Sequence, residues 1–132
     1  MASLEQGIQD RLASDTTLAA YFADTDIQIN DKPIGKKSVF PYLQFKCLDS
    51  PRVWRKPERW ERWRFITTHT DFRDCKRIRD RVVELFLQGY GELDGFAVLN
   101  AQVINSGSDP VFNTEISAYQ VIDTDIRFSY YI

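Results

Sequence analysis

From Tyr119 to Ile132 apolar and polar side chains alternate with little interruption. Ile122, Thr124, Ile126, Phe128, Tyr130 and Ile132 fall on one side of an extended chain, and Asp123, Asp125, Arg127 and Ser129 on the other. A period of two is the signature of a strand with one face buried. The rest of the fold has to provide the sheet this strand joins and the apolar layer that covers it.

The other elements follow from the same two periodicities. Ser3 and Gln6 have capping-box spacing, and Leu4, Ile8 and Leu12 then make a helical stripe. Asp15 is placed to cap a second short turn that carries Leu18, Tyr21 and Phe22. Ile27 and Ile29 alternate as in a short strand, and the Pro- and Gly-bearing stretch from Asn30 to Lys37 reads as a loop. Between Val39 and Leu48, Leu43, Phe45 and Cys47 share one strand face and Tyr42, Gln44 and Lys46 the other. Pro41 belongs at the strand's start or at a sheet edge. From Glu58 to Thr70 a long strand puts Trp63, Phe65 and Thr67 on one face and Arg62, Arg64 and Ile66 on the other, although the Trp60–Trp63 spacing also fits a helix over 58–64. The intervening tip, around residues 49–59, is expected to overshoot the sheet.

Asp71 or Asp74 caps the strongest helix, which runs to about Leu87 with Cys75, Ile78, Val82, Leu85 and Phe86 as its buried stripe. Gly89 and Gly91 stop it. Phe96–Asn105 reads as a strand and Ser106–Pro110 as a loop. Strand runs separated by isolated helices predict an α+β fold, one domain over residues 1–132. Its antiparallel or mixed β-sheet carries two main helices packed on one face and a long protruding β-hairpin.

Composition narrows the function. No stretch of ~18 consecutive apolar residues could span a membrane, and the N-terminus has no secretory-signal pattern. Cys47 and Cys75 fall at apolar positions and are expected as buried free thiols. With His69 the only histidine, they make a poor zinc site. No catalytic, cofactor-binding or metal-binding constellation emerges: His69 closes a strand, Asp123 and Asp125 read as an acidic strand face, and Gly89-Tyr90-Gly91 follows a helix where a phosphate loop would open one. The expectation is a protein that binds rather than catalyses.

What it binds is indicated by charge. The net charge is −2, yet residues 51–81 carry eleven basic and five acidic side chains, and residues 82–132 carry one basic and seven acidic. Arg52, Trp54, Arg55, Lys56, Arg59, Trp60 and Arg62 concentrate Arg and Trp, the residue types that dominate interface hot spots. Such a mixture also permits nucleic-acid binding by phosphate contact and stacking. Two readings of the segregated charge stay open. The basic segment and the acidic Asp123 and Asp125 meet between identical subunits of a closed ring, or they neutralise each other within one fold.

Several stretches, in order along nearly the whole chain, resemble the tail-terminator or tail-completion proteins of tailed bacteriophages. They are Leu4–Leu12 followed by Asp15-Thr16-Thr17-Leu18, then Phe40-Pro41-Tyr42-Leu43-Gln44-Phe45. Next comes Arg62–Thr67 feeding the Asp74–Val82 helix, and last the terminal Ile126–Tyr130 strand. The resemblance implies an α+β subunit of a ring, usually a hexamer, that caps the tail tube and contributes to the head–tail junction. The implied partners are other copies of the chain, the tail tube protein and a head-completion or connector protein, with DNA only as cargo passing through the lumen. The implied location is the virion tail or neck, after assembly in the host cytoplasm. A neck or head-completion ring protein is the alternative, and a nucleic-acid-binding module a more distant one. The Trp- and Arg-rich stretch between Arg52 and Trp63 departs from many relatives.

Overall fold

The computed structural model describes residues 4–31, 40–49, 58–88, 92–93, 96–111 and 119–131. Helix α1 (Leu4–Ser14), the short helical turns α2 (Thr16–Ala19) and α3 (Thr25–Gln28) and the two-residue strand β1 (Ile29–Asn30) lead into β2 (Tyr42–Asp49) and β3 (Glu58–His69). Helix α4 (Phe72–Gln88) follows, then β4 (Glu92–Leu93), β5 (Phe96–Val111) and β6 (Tyr119–Tyr131). The strands lie in the order β1-β2-β3-β6-β5-β4. Every pairing is antiparallel except β1 with β2, so the sheet is mixed.

The helical stripes and the strand alternation meet in one core. Leu4, Ile8 and Leu12 of α1, Leu18 and Phe22 beside α2, and Ile78, Val82 and Phe86 of α4 are buried against Leu43, Phe45, Trp63, Phe65, Ile126, Phe128 and Tyr130. All the strand residues in that set lie on one face of the sheet. The two main helices, α1 and α4, therefore cover a single face, as the patterning predicts. Phe45, Phe65, Phe86 and Phe128 form a connected row, with ring centroids 6.4, 5.3 and 5.3 Å apart.

The caps at Asp15 and Asp71 act as the sequence indicates, while Ser3 lies outside the described residues. The Asp71 carboxylate accepts from the Arg73 and Asp74 amides at 2.9 and 3.3 Å, so Asp71 opens α4. Asp15 accepts from the Leu18 amide at 2.9 Å and also receives Arg81 of α4 through two bonds, at 2.7 and 3.0 Å. One side chain thus caps α2 and ties it to α4. Losing a cap costs about 1 kcal/mol and losing charge-assisted bonds about 1.5–3 kcal/mol, so Asp15→Ala is expected to lower unfolding free energy by about 2.5–4 kcal/mol. The Arg81 guanidinium holds the Asp15 carboxyl below its usual range; burial opposes this and the Leu18 amide reinforces it. Because the folded value is the depressed one, this stabilisation is complete above the unfolded value of about 3.9 and is lost as pH falls through the folded value. Urea unfolding should show Asp15→Asn, which keeps a capping oxygen, converging on the wild type as pH drops through that window.

Three expectations need correction. Ile27 is not in a strand: it lies in α3 and is 65% exposed, and only Ile29 of the pair enters the sheet. Ser106–Pro110 is not a loop, because β5 continues through it, paired with β6 as far as Val111 opposite Tyr119. Cys75 is buried as expected, but Cys47 is exposed. The strand expected from Glu58 is present as β3, and its helical alternative over 58–64 is not. β3 outruns β2 by Glu58–Glu61, and these residues are backed by β6. Gly89, Gly91, most of the Asn30–Lys37 stretch and the hairpin tip over residues 50–57 lie outside the described residues.

Candidate subunit interface

The face of the sheet opposite the helices carries the charge. Its centre is Arg64 on β3, directly across from Asp125 on β6. The guanidinium makes two bonds to the carboxylate, at 2.8 and 3.2 Å, a fork-to-fork geometry stronger than a point contact. Asp125 is buried, with 5% of its side chain exposed, and Arg64 is held still more firmly charged, first by that hydrogen bond and also by the fields of Asp125 and Asp123. Of the two readings of the segregated charge, neutralisation within the fold holds at this pair. The basic and acidic segments are neighbouring strands because β6 inserts between β3 and β5.

The remaining candidates spread from that centre. Asp123 is half-buried opposite Ile66. Arg62 lies opposite Arg127 and reaches Asp49 at 3.2 Å. Asp49 Oδ1 and Arg62 Nε are buried with no partner among the described residues. Trp60 and Trp63 point to opposite faces, as strand geometry requires. Trp63 is buried in the core, 6.1 Å from Phe45, while half-buried Trp60 is covered by the Arg127 guanidinium 5.6 Å from its ring centroid. That cation–π contact is the partner Trp60 needs on an open face. Arg59, across from Tyr130, falls on the helix-side face and is not brought together with Trp60 and Arg62. Arg52, Trp54, Arg55 and Lys56, between β2 and β3 in sequence, lie outside the described residues.

Glu61, which the sequence does not single out, organises the other face at the same end of the sheet. Its carboxylate accepts from Trp63 Nε1 at 3.1 Å and from the Tyr130 hydroxyl, and the Cys47 thiol lies 3.8 Å away. Partial burial and the nearby Glu61 and Asp49 carboxylates push the Cys47 thiol up to about 11. It is therefore protonated near neutral pH and a weak nucleophile. The ring of His69 contacts Thr70, the Asp71 amide at 3.2 Å and Asp74 at 3.9 Å, all at the start of α4, and neither cysteine is among these contacts. Beside Phe45 an opening of about 340 Å³ is lined by Glu5, Gln6, Gln9 and Asp31. Glu5 is raised there mainly by its hydrogen bond to Asp31. Among the described residues no three His, Cys, Asp or Glu side chains gather closely enough to hold a metal ion, and no helix is long and apolar enough to cross a membrane. The arrangement provides polar and aromatic contact surface, with no activated group at its centre.

No protein-family profile and no curated protein sequence matches the chain. The fold does have a solved counterpart. A chain in the structure described as "Virion of native gene transfer agent (GTA) particle" superimposes with a TM-score of 0.73, over 99% of this chain and 96% of that one, at 13% sequence identity. At that identity the likeness is one of fold, and it extends over both chains almost end to end.

Proposed function

We propose that this chain, as one domain over residues 1–132, is a structural virion protein. It is a tail-terminator or tail-completion subunit that closes into a ring, six-fold in the family it resembles, caps the tail tube and contributes to the head–tail junction. The observation that carries the reading is the near end-to-end fold match to a chain of a gene transfer agent virion. Beside that match stands a sequence whose motif order resembles the tail-terminator and tail-completion proteins. The chain acts through binding, and its partners are further copies of itself, the tube and the neighbouring head-completion or connector protein.

In this reading the patch at the β2–β3 end, Arg59, Trp60 and Arg62 with Arg52, Trp54, Arg55 and Lys56 of the connection, meets an adjacent subunit or the tube. Asp123 and Asp125 belong to the face of Trp60 and Arg62, with Arg59 on the other face at the same end of the sheet, and Asp125 acts indirectly by fixing Arg64. Light scattering on the purified protein, alone and with the tail-tube protein, is the test. The expected result is a discrete multiple of the monomer mass in at least one of the two conditions, reduced by Arg59→Glu with Arg62→Glu. Monomer mass in both conditions, at every concentration tried, overturns the reading.

A further inference from the structure

Both edges of the sheet are capped by strands too short to cover them. At one edge β1 pairs only with Leu43 and Gln44, so among the described residues Phe45–Asp49 of β2 has no outer neighbour. At the other edge β4 pairs only with Phe96 and Ala97, so among the described residues β5 from Val98 onward pairs on one side only. A long open edge is an association hazard that proteins usually blunt with charge, proline or short strands. This edge lacks the charge: no charged residue occurs between Phe96 and Ser108. Every residue from Gln102 to Gly107 is exposed. Val103, paired opposite Ile126, and Ile104, at the register shift before Asn105, are 39% and 45% exposed.

The two open stretches stand at the same height. Following paired residues straight across the sheet, Phe45 leads through Phe65 and Thr124 to Ser106. Cys47 leads through Trp63 and Ile126 to Val103, and Asp49 through Arg62 and Arg127 to Gln102. β2 and β5 run in opposite directions. A second copy set beside the first without slippage therefore brings its Phe45–Asp49 antiparallel to Gln102–Ser106, with matching faces.

We infer that the open edge of β5 over Gln102–Ser106 pairs with the open edge of β2 over Phe45–Asp49 in a neighbouring copy, continuing the sheet from subunit to subunit. The inference rests on the ring reading in taking a second copy as the occupant. Symmetry selects this pairing over the like-with-like ones, since two β2 edges would close a two-fold dimer. An uncharged β5 stretch also accepts Lys46 and Asp49 without like-charge contact. Two β5 edges would close a two-fold dimer, and only an unlike pairing repeats around a ring. Strand addition supplies backbone hydrogen bonds, and Val103 and Ile104 supply apolar contact.

Cysteine cross-linking tests it, because Cys47 is native, exposed and predicted to lie opposite Val103. Directly opposed residues in an antiparallel pair have Cα atoms about 4.5–5.5 Å apart, within disulfide reach. Val103→Cys, oxidised with diamide at alkaline pH with and without the tail-tube protein, should give a ladder of covalent multimers on a non-reducing gel. Adding Cys47→Ser should abolish the ladder. In parallel, Val103→Lys with Ile104→Lys should return assembled protein to monomer mass, and the variant should still unfold cooperatively, at the midpoint of the dissociated wild type, since both side chains are exposed. A dimer that survives Cys47→Ser would show β5 meeting β5 and overturn the inference. A multimer that neither ladders nor responds to the lysines would overturn it and leave the ring reading standing. A wild type that is monomeric with and without the tube protein would overturn both.

Discussion

Phe86→Ala is expected to be among the most damaging single substitutions in the chain, lowering unfolding free energy by about 3–5 kcal/mol. Phe86 is fully buried in the last turns of α4 and is the side chain through which that helix enters the sheet. It stands 5.3 Å from Phe65 on β3 and 5.3 Å, edge-on, from Phe128 on β6. Removing the ring loses its own transfer free energy, two aromatic contacts of about 0.5–1.5 kcal/mol each, and the packing of atoms left facing a void. Folded domains have only about 5–15 kcal/mol in total, so the variant should unfold at far lower urea concentration or accumulate as aggregate. Phe86→Leu, which leaves most of the volume filled, should cost about 1–2 kcal/mol. A urea midpoint for Phe86→Ala within error of the wild type would contradict the packing described.

The contrast between what alternation reveals and what it hides is clearest around Cys47. Strand periodicity assigns it to the face of Leu43 and Phe45, and that assignment is right, since all three belong to one face of β2. Burial on that face is decided by how far the helices reach, which is a tertiary fact. Phe45 is covered and Cys47, two residues on, is not. Ile27 and Ile29 fail for the complementary reason. Two apolar residues spaced by two fit a strand, but the Asp24 carbonyl accepts from the Ile27 and Gln28 amides, turning the chain into α3 before Ile29 pairs with Leu43.

Ser106-Gly107-Ser108-Asp109-Pro110 has loop composition. It is nonetheless strand, because the long regular β6 beside it offers a continuous row of backbone partners, and a proline is tolerated at an edge. The α4 stripe and the β3 and β6 alternations were legible because each is long enough for its period to exceed local noise. At the candidate interface, the residue types were legible and the partners were not. Nothing in the sequence joins Arg64 to Asp125, 61 positions away, or lays Arg127 over Trp60. Both follow from β6 inserting between β3 and β5. The open edge of β5 was hidden for the same reason, since a strand's place in the sheet order is not written in its own residues.

That inserted strand also sets the second large effect. Arg64→Met is expected to cost about 3 kcal/mol, toward the lower end for breaking a buried pair because Arg64 itself remains partly exposed. The substitution keeps much of the apolar stem but strips Asp125 of both charge-assisted bonds and leaves a carboxylate buried under the sheet surface. Uncompensated buried charge, more than the lost attraction, is the source of the penalty. Three measurements separate the two. Asp125→Asn should cost less than Arg64→Met, because an amide oxygen still accepts from the guanidinium and the orphaned group is now the more exposed partner. Arg64→Met with Asp125→Leu should recover most of the stability lost by Arg64→Met alone, since an apolar pair of similar bulk carries no desolvation cost. Raising salt should change the wild-type value little, because a pair with a buried carboxylate is weakly screened. If the double variant were instead as unstable as the sum of its singles, the two side chains would not be coupled. The intramolecular neutralisation of the basic and acidic segments would then have to be abandoned in favour of a contact between subunits.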